Sequence, residues 1–158
     1  MANVNPIPQG YHSVTPYLFI NGAAKAIDYY KKVFGANERM RMPGPNGRVM
    51  HAEIEIGDSI VMLADEHLQM GARSPQTIGG TACSLHVYVR DVDTVVKNAV
   101  DSGAHLARPV ENQFYGDRSG SIVDPFGHMW SIATHIEDVA PEEMQKRMAK
   151  MAQSAANA

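Results

Sequence analysis

The feature that most constrains this chain is an internal period. Ile20 to Gly35 and Val89 to Gly103 carry the same punctuation: a strand end, a helix, and a glycine followed by alanine. Gly57 in the first half matches Gly127 in the second. One supersecondary unit of about 50 residues that recurs along the chain is a signature of duplication. Each half reads β-α-β-β-β. In the first half, the β-branched and aromatic stretch Ser13 to Ile20 is a strand. Ala23, Ile27, Tyr30 and Phe34 then mark one helical face, closed by Gly35. Short strands follow over Glu38–Met42, His51–Ile56 and Ser59–Ala64, with Asn46-Gly47 supplying the positive φ of a hairpin turn. The second half repeats this. Cys83–Val89 is a strand, and Asp91 caps a helix with the face Val92, Val95, Val96 and Ala99. His105–Val110, Ser119–Val123 and His128–His135 are the closing strands, with a type I turn at Asp124-Pro-Phe-Gly127.

The organisation expected from this is an N-terminal arm over residues 1–12 and one domain over 13–138. Module 1 covers 13–64 and module 2 covers 82–138, with a C-terminal helix and tail over 139–158. Between the modules, Asp65 to Thr81 has no firm period, and loops of that length are often lids. In the final helix, Pro141 starts the first turn, and Met144, Met148 and Met151 form an apolar face for docking on the domain or on a partner.

Composition removes several classes. A chain of 158 residues with 44% apolar content has enough material for a packed core. A net charge of −3 argues against nucleic acid as a partner. No apolar run approaches the roughly 18–20 residues that span a bilayer. The first residues lack a basic segment followed by an apolar one, so the expected location is cytoplasmic. The single cysteine, Cys83, excludes an intrachain disulfide and a cysteine-rich zinc site.

Several stretches resemble the vicinal oxygen chelate superfamily, which includes glyoxalase I, bleomycin- and fosfomycin-resistance proteins and extradiol dioxygenases. They are Thr15-Pro-Tyr-Leu-Phe-Ile20, Ala26 to Ala36, His51-Ala-Glu53, Gly57-Asp-Ser59, Gln113 to Arg118 and Asp124 to His135. The resemblance is nearest to the PhnB-like branch. It implies an α+β fold in which paired βαβββ modules form a cup-shaped mixed sheet, with helices outside and a cavity for a small organic molecule. It also implies a homodimer. In metal-dependent members each module supplies ligands from its first and last strands. Those positions fall here on Thr15, Ser84, Val61 (or Met62, one residue on) and Ser131, none of which is a histidine or carboxylate. The implied cofactor is therefore none.

Alternation sorts the remaining candidates, because successive strand residues face opposite ways. Ser84, His86 and Tyr88 share the cup face, as do Tyr17 and Phe19 with Thr15. His51, Glu53 and Glu55 share it too, and so do Met129, Ser131 and Ala133. The expected ligand-binding residues are Tyr17, Phe19, His51, Ser84, Phe114, Tyr115, Arg118 and Ser131, with His86 and Glu53 as candidate acid–base groups. Two readings of His51, Glu53 and His86 stand: polar groups lining a wet cavity, or a non-standard site for one divalent metal ion in a lyase, isomerase or dioxygenase. Arg118 is either a fork for a ligand carboxylate or phosphate, or the partner of Asp117. His12, His67, His105 and His135 fall near element ends and read as solvated.

Overall fold

The computed structural model describes residues 4–156. The chain divides into two compact units, the first running to Ala82 and including Pro125–His128, the second formed by Cys83–Asp124 and the chain from Met129 onward.

In the first unit, β1 (Tyr17–Ile20) leads through α1 (Ala23–Phe34) to β2 (Asn37–Pro43), β3 (Val49–Ile56) and β4 (Ser59–Asp65). The strand order is β1-β4-β3-β2, with β1 parallel to β4 and the other pairs antiparallel. Leu18, Ile20, Ala52, Ile54 and Leu63 are buried on one side of this sheet, as are Ile27 and Tyr30 of α1. Burying each large side chain contributes about 1.5–3 kcal/mol. Between β2 and β3, Asn46 and Gly47 take φ values of 58° and 74°, the left-handed turn that their identities predict.

The start of α1 has an unusual cap. Gly22 offers no side chain, and Asp65 at the end of β4 takes its place. Asp65 Oδ1 accepts from the Gly22 and Ala23 N–H groups at 3.0 and 2.9 Å, and Oδ2 accepts from Val49 N–H at 2.6 Å. The segment read as an aperiodic loop is largely structured. A 3₁₀ turn spans Leu68–Met70 and a short α2 spans Pro75–Ile78. Ser74 caps α2, and Glu66 Oε2 accepts from both Ser74 N–H and Thr77 Oγ1. Short local bonds of this kind leave no hydrophobic period for a sequence to display.

The second unit repeats the plan. β5 (Ser84–Tyr88), α3 (Val92–Asp101), β6 (His105–Asn112), β7 (Asp117–Val123) and β8 (Met129–His135) give the order β5-β8-β7-β6. Trp130, Ile132 and Ile122 are buried on one side of this sheet, with Val92, Val96 and Ala99 of α3. Asp91 caps α3 by accepting from Thr94 N–H at 3.1 Å. The chain ends in α4 (Pro141–Ala156). Among the described residues no helix is long and apolar enough to cross a membrane.

Candidate functional site

Each sheet has a second, open face, and its register states which side chains share it. In the first unit Tyr17 lies opposite Met62, Met62 opposite Glu53, and Glu53 opposite Met40. One row therefore crosses all four strands. The next row places Phe19 beside Ala64, and His51 sits opposite Met42. Val61 pairs with Ile54 and is buried on the helix side. The open-face residue of β4 in this row is thus Met62, which corrects the frame that favoured Val61.

A chain of hydrogen bonds runs along this face. Tyr17 Oη lies 2.9 Å from His51 Nδ1, and His51 Nε2 lies 3.4 Å from Glu53 Oε1. The other oxygen of Glu53 accepts from Tyr11 Oη at 2.5 Å. Glu53 is 7% exposed, so its charge needs these partners. The network assigns the proton of His51: Nε2–H donates to the Glu53 carboxylate, which leaves Nδ1 to accept from the Tyr17 hydroxyl. The hydrogen bond to Glu53 raises the pKa of Tyr11 above its ordinary value, and desolvation raises that of Tyr17, so both hydroxyls keep their protons. The Tyr17 ring lies 5.2 Å from Phe19 and 5.5 Å from the His51 ring between centroids. The Arg39 guanidinium sits 5.3 Å over the Tyr11 ring.

Tyr11 is a residue that sequence reasoning missed. It lies in the stretch read as an arm, and a backbone bond to Pro8 O turns it toward the sheet. A lone tyrosine before a strand carries no periodic signal, and its partner Glu53 is 42 residues away.

The open face of the second unit is more polar. His86 lies opposite Ser131, and its Nδ1 is 3.0 Å from Ser131 Oγ. Ser84 pairs with Met129 at one end of β5, and Tyr88 pairs with Ala133 at the other. The His86 and Tyr88 rings meet edge to face at 4.8 Å. Tyr88 Oη donates to Asp117 Oδ2 at 3.0 Å, which raises its pKa. His51 and Glu53 belong to the first unit and His86 to the second, and each has the local partners just given.

Arg118 is placed differently from the expectation. Odd and even residues of β7 face opposite ways, so Arg118 turns away from Asp117. Its Nε and Nη2 grip Asp93 of α3 at 2.7 Å each, and Nη1 donates to Asn112 Oδ1 at 2.9 Å. Neither sequence reading of Arg118 describes this pair: its fork is filled by a helix carboxylate, and Asp117 has other partners. Phe114 and Tyr115 form an edge-to-face pair at 5.2 Å in the loop before β7. That loop is tied to α4, because Arg147 donates to Phe114 O at 3.2 Å and grips Glu137 at 2.7 and 2.8 Å.

His135 is exposed, as its place at a strand end implies, and its ring also bridges two carboxylates. Nδ1 lies 2.7 Å from buried Asp117 and Nε2 lies 3.0 Å from Asp138. The bond to Asp117, then that to Asp138, raises the His135 pKa above its ordinary value. A raised folded-state pKa adds stability that is whole below the unfolded value, near 6.5, and is lost as pH rises through the folded value. Urea unfolding of the wild type should therefore show a steeper loss of stability as pH rises above about 6.5 than His135→Asn does. Equal slopes would mean that the bridge does not form.

The donor chemistry at the implied metal positions does not fit a divalent ion. Thr15, Ser84 and Ser131 offer hydroxyls and Met62 a thioether, where imidazole nitrogen or carboxylate oxygen is required. Among the described residues, no group of three or more His, Cys, Asp or Glu is gathered to hold a metal.

A family model described as the Glyoxalase/Bleomycin resistance protein/Dioxygenase superfamily matches residues 10–132. The uncharacterized protein Mb0911c of Mycobacterium bovis is 41% identical over 139 residues, covering 86% of this chain and 91% of that protein. Among solved structures, TioX from Micromonospora sp. ML1 aligns with a TM-score of 0.61 at 24% identity, covering 82% of this chain and all of that one. A PhnB protein from Bacillus cereus aligns with a TM-score of 0.60 at 20% identity, covering 78% of this chain and 99% of that one. Likeness at these identities speaks for the fold, and leaves the chemistry to the residues themselves.

Proposed function

This chain belongs to the Glyoxalase/Bleomycin resistance protein/Dioxygenase superfamily, and on that premise we propose that it binds a small, flat organic molecule without a metal ion. The observation that carries the reading is the hydrogen-bonded chain Tyr17–His51–Glu53–Tyr11 on an open sheet face, with the Phe19 ring beside it. Tyr17 is 42% and Phe19 37% exposed, an unusual placement for two adjacent aromatic rings on one strand. Met40 and Met42 extend the same face, and their thioether side chains adapt to varied apolar shapes. Because the Tyr17 hydroxyl donates to His51, its oxygen lone pairs are left to accept. They suit a ligand that combines an aromatic surface with an N–H or O–H donor. His51 and Glu53 hold that polarity in place, in the manner of an orienting acid behind an imidazole.

The test is a thermal-shift and calorimetric screen of the purified protein against aromatic amines and phenols. A hit is expected to bind the wild type and to bind Tyr17→Phe roughly tenfold more weakly, the value of one well-placed hydrogen bond. Retention of full affinity by both Tyr17→Phe and Phe19→Ala would overturn the reading. Titration with zinc, manganese, nickel and iron is expected to show no stoichiometric uptake. Tight uptake abolished by His86→Ala would restore the metal-dependent alternative built on His51, Glu53 and His86.

A further inference from the structure

One row on the open face of the second unit is unlike its neighbours. His86 lies opposite Ser131, Ser131 opposite Ser121, and Ser121 opposite Arg108, so four polar residues line up across β5, β8, β7 and β6. Arg108 stands between two register shifts of β6, one after Leu106 and one before Glu111. Such bulges re-aim side chains. Here Arg108 reaches over the sheet, and its Nε and Nη2 donate to Ser121 Oγ at 3.2 and 2.9 Å.

The proton count at Ser121 points to a ligand. A serine hydroxyl has two acceptor positions and one hydrogen to give. Arg108 donates to Ser121 Oγ through both Nε and Nη2, so the hydroxyl accepts from the guanidinium and its own hydrogen is left to donate elsewhere. Ser121 is 2% exposed, and among the described residues no acceptor takes that hydrogen. Leaving a buried donor unspent costs about 1–3 kcal/mol. Beside it stands Ser131 on the adjacent strand, about 4.8 Å away, with the His86 ring beyond. A cavity of about 200 Å³ opens next to Arg108, between Pro109, Glu111, Gln113, Ser119 and Gly120.

We propose that Arg108, Ser121, Ser131 and His86 form a binding site for a small oxyanion, the phosphate or carboxylate group of an organic ligand. The hydroxyls of Ser121 and Ser131 donate to separate oxygens of the anion. Arg108 supplies the positive charge, and its planar guanidinium gives the site its geometry. His86 flanks the other end of the row. Glu111, opposite Ser119 in the next row, opposes the anion and limits its affinity. Asp117 does not intrude, since Tyr88 and His135 occupy its oxygens. This row belongs to the second unit and the aromatic face to the first, and it adds a separate ligand chemistry.

Two probes test it, inorganic phosphate and acetate, titrated into the full chain and followed by amide and side-chain NMR shifts at fixed ionic strength. Saturable binding of at least one is expected, with the largest shifts at Ser121 and Ser131. The probe that binds identifies the group as phosphate-like or carboxylate. Arg108→Gln should weaken binding at least about tenfold, in line with loss of the site's positive charge. Arg108→Lys keeps the charge but not the two-point hold on Ser121, and should fall between the two. Glu111→Gln should tighten binding. If neither probe binds saturably, or if Arg108→Gln and Ser121→Ala retain wild-type affinity with dispersed spectra, the proposal fails. Neither probe has an aromatic surface, so this titration and the aromatic screen can fail independently.

Discussion

Asp65→Ala is expected to lower the stability of the first unit by about 3–5 kcal/mol. The carboxylate accepts from three backbone N–H groups, of Gly22, Ala23 and Val49. Two of these open α1, where the helix dipole also favours a negative charge. Charge-assisted bonds contribute about 1.5–3 kcal/mol each, and alanine leaves all three donors without a protein partner. The residue acts from a distance, since it ends β4 while the helix it caps follows β1. Asp65→Asn keeps one acceptor oxygen and should give an intermediate loss. Urea denaturation of the two variants checks this. A loss below about 1 kcal/mol for alanine would show that water replaces the carboxylate at little cost.

Gly116→Ala is expected to be nearly as severe, at about 3 kcal/mol or more. Gly116 has φ +99°, and a Cβ built there would lie 2.1 Å from the Glu137 carbonyl oxygen and 3.1 Å from its carbon. Both are backbone atoms, so no side chain can swing aside. The same glycine accepts at its own carbonyl from Ile136 and Glu137 N–H, at 2.9 Å each. The clash therefore strikes the joint between the Phe114–Tyr115 loop and the segment leading to α4. Gly57→Ala is the control. Gly57 also has positive φ, +63°, but nothing lies within 4 Å of its Cβ position, so only backbone strain of about 1 kcal/mol should appear. Hydrogen exchange at Ile136 and Glu137 should accelerate in Gly116→Ala alone. Equal behaviour of the two variants would refute the steric account.

Much of the architecture is legible in the sequence because it rests on local rules. The Ala23–Phe34 face, the Asp91 cap and the Asn46-Gly47 turn all appear where period and residue chemistry place them. The faces of the strands are legible too, because alternation has a period of two. Tyr17 and Phe19 do share a face, as do Ser84, His86 and Tyr88, while Trp130 and Ile132 are buried on the other side. What alternation leaves open is the frame between strands. A one-residue choice separated Val61 from Met62, and only pairing with Tyr17 and Glu53 decided it.

Partnerships are where sequence reasoning stops. Arg118 reads in the sequence as a ligand fork or as the partner of Asp117, yet in the structure it pairs with Asp93 on α3. Tyr11 and Arg108 drew no notice, because neither sits in a periodic pattern; one arrives through a turn and the other through a pair of bulges. His135 ends β8 as expected, but its hydrogen bonds to Asp117 and Asp138 carry no signal in the local sequence pattern. By itself, the sequence determined that two β-α-β-β-β modules would form, and which residues of each strand would face away from the helices. Tertiary structure alone decided which of those residues meet. Local propensity and alternation act within a few residues, whereas a row of side chains across four strands depends on register, set by contacts tens of residues apart.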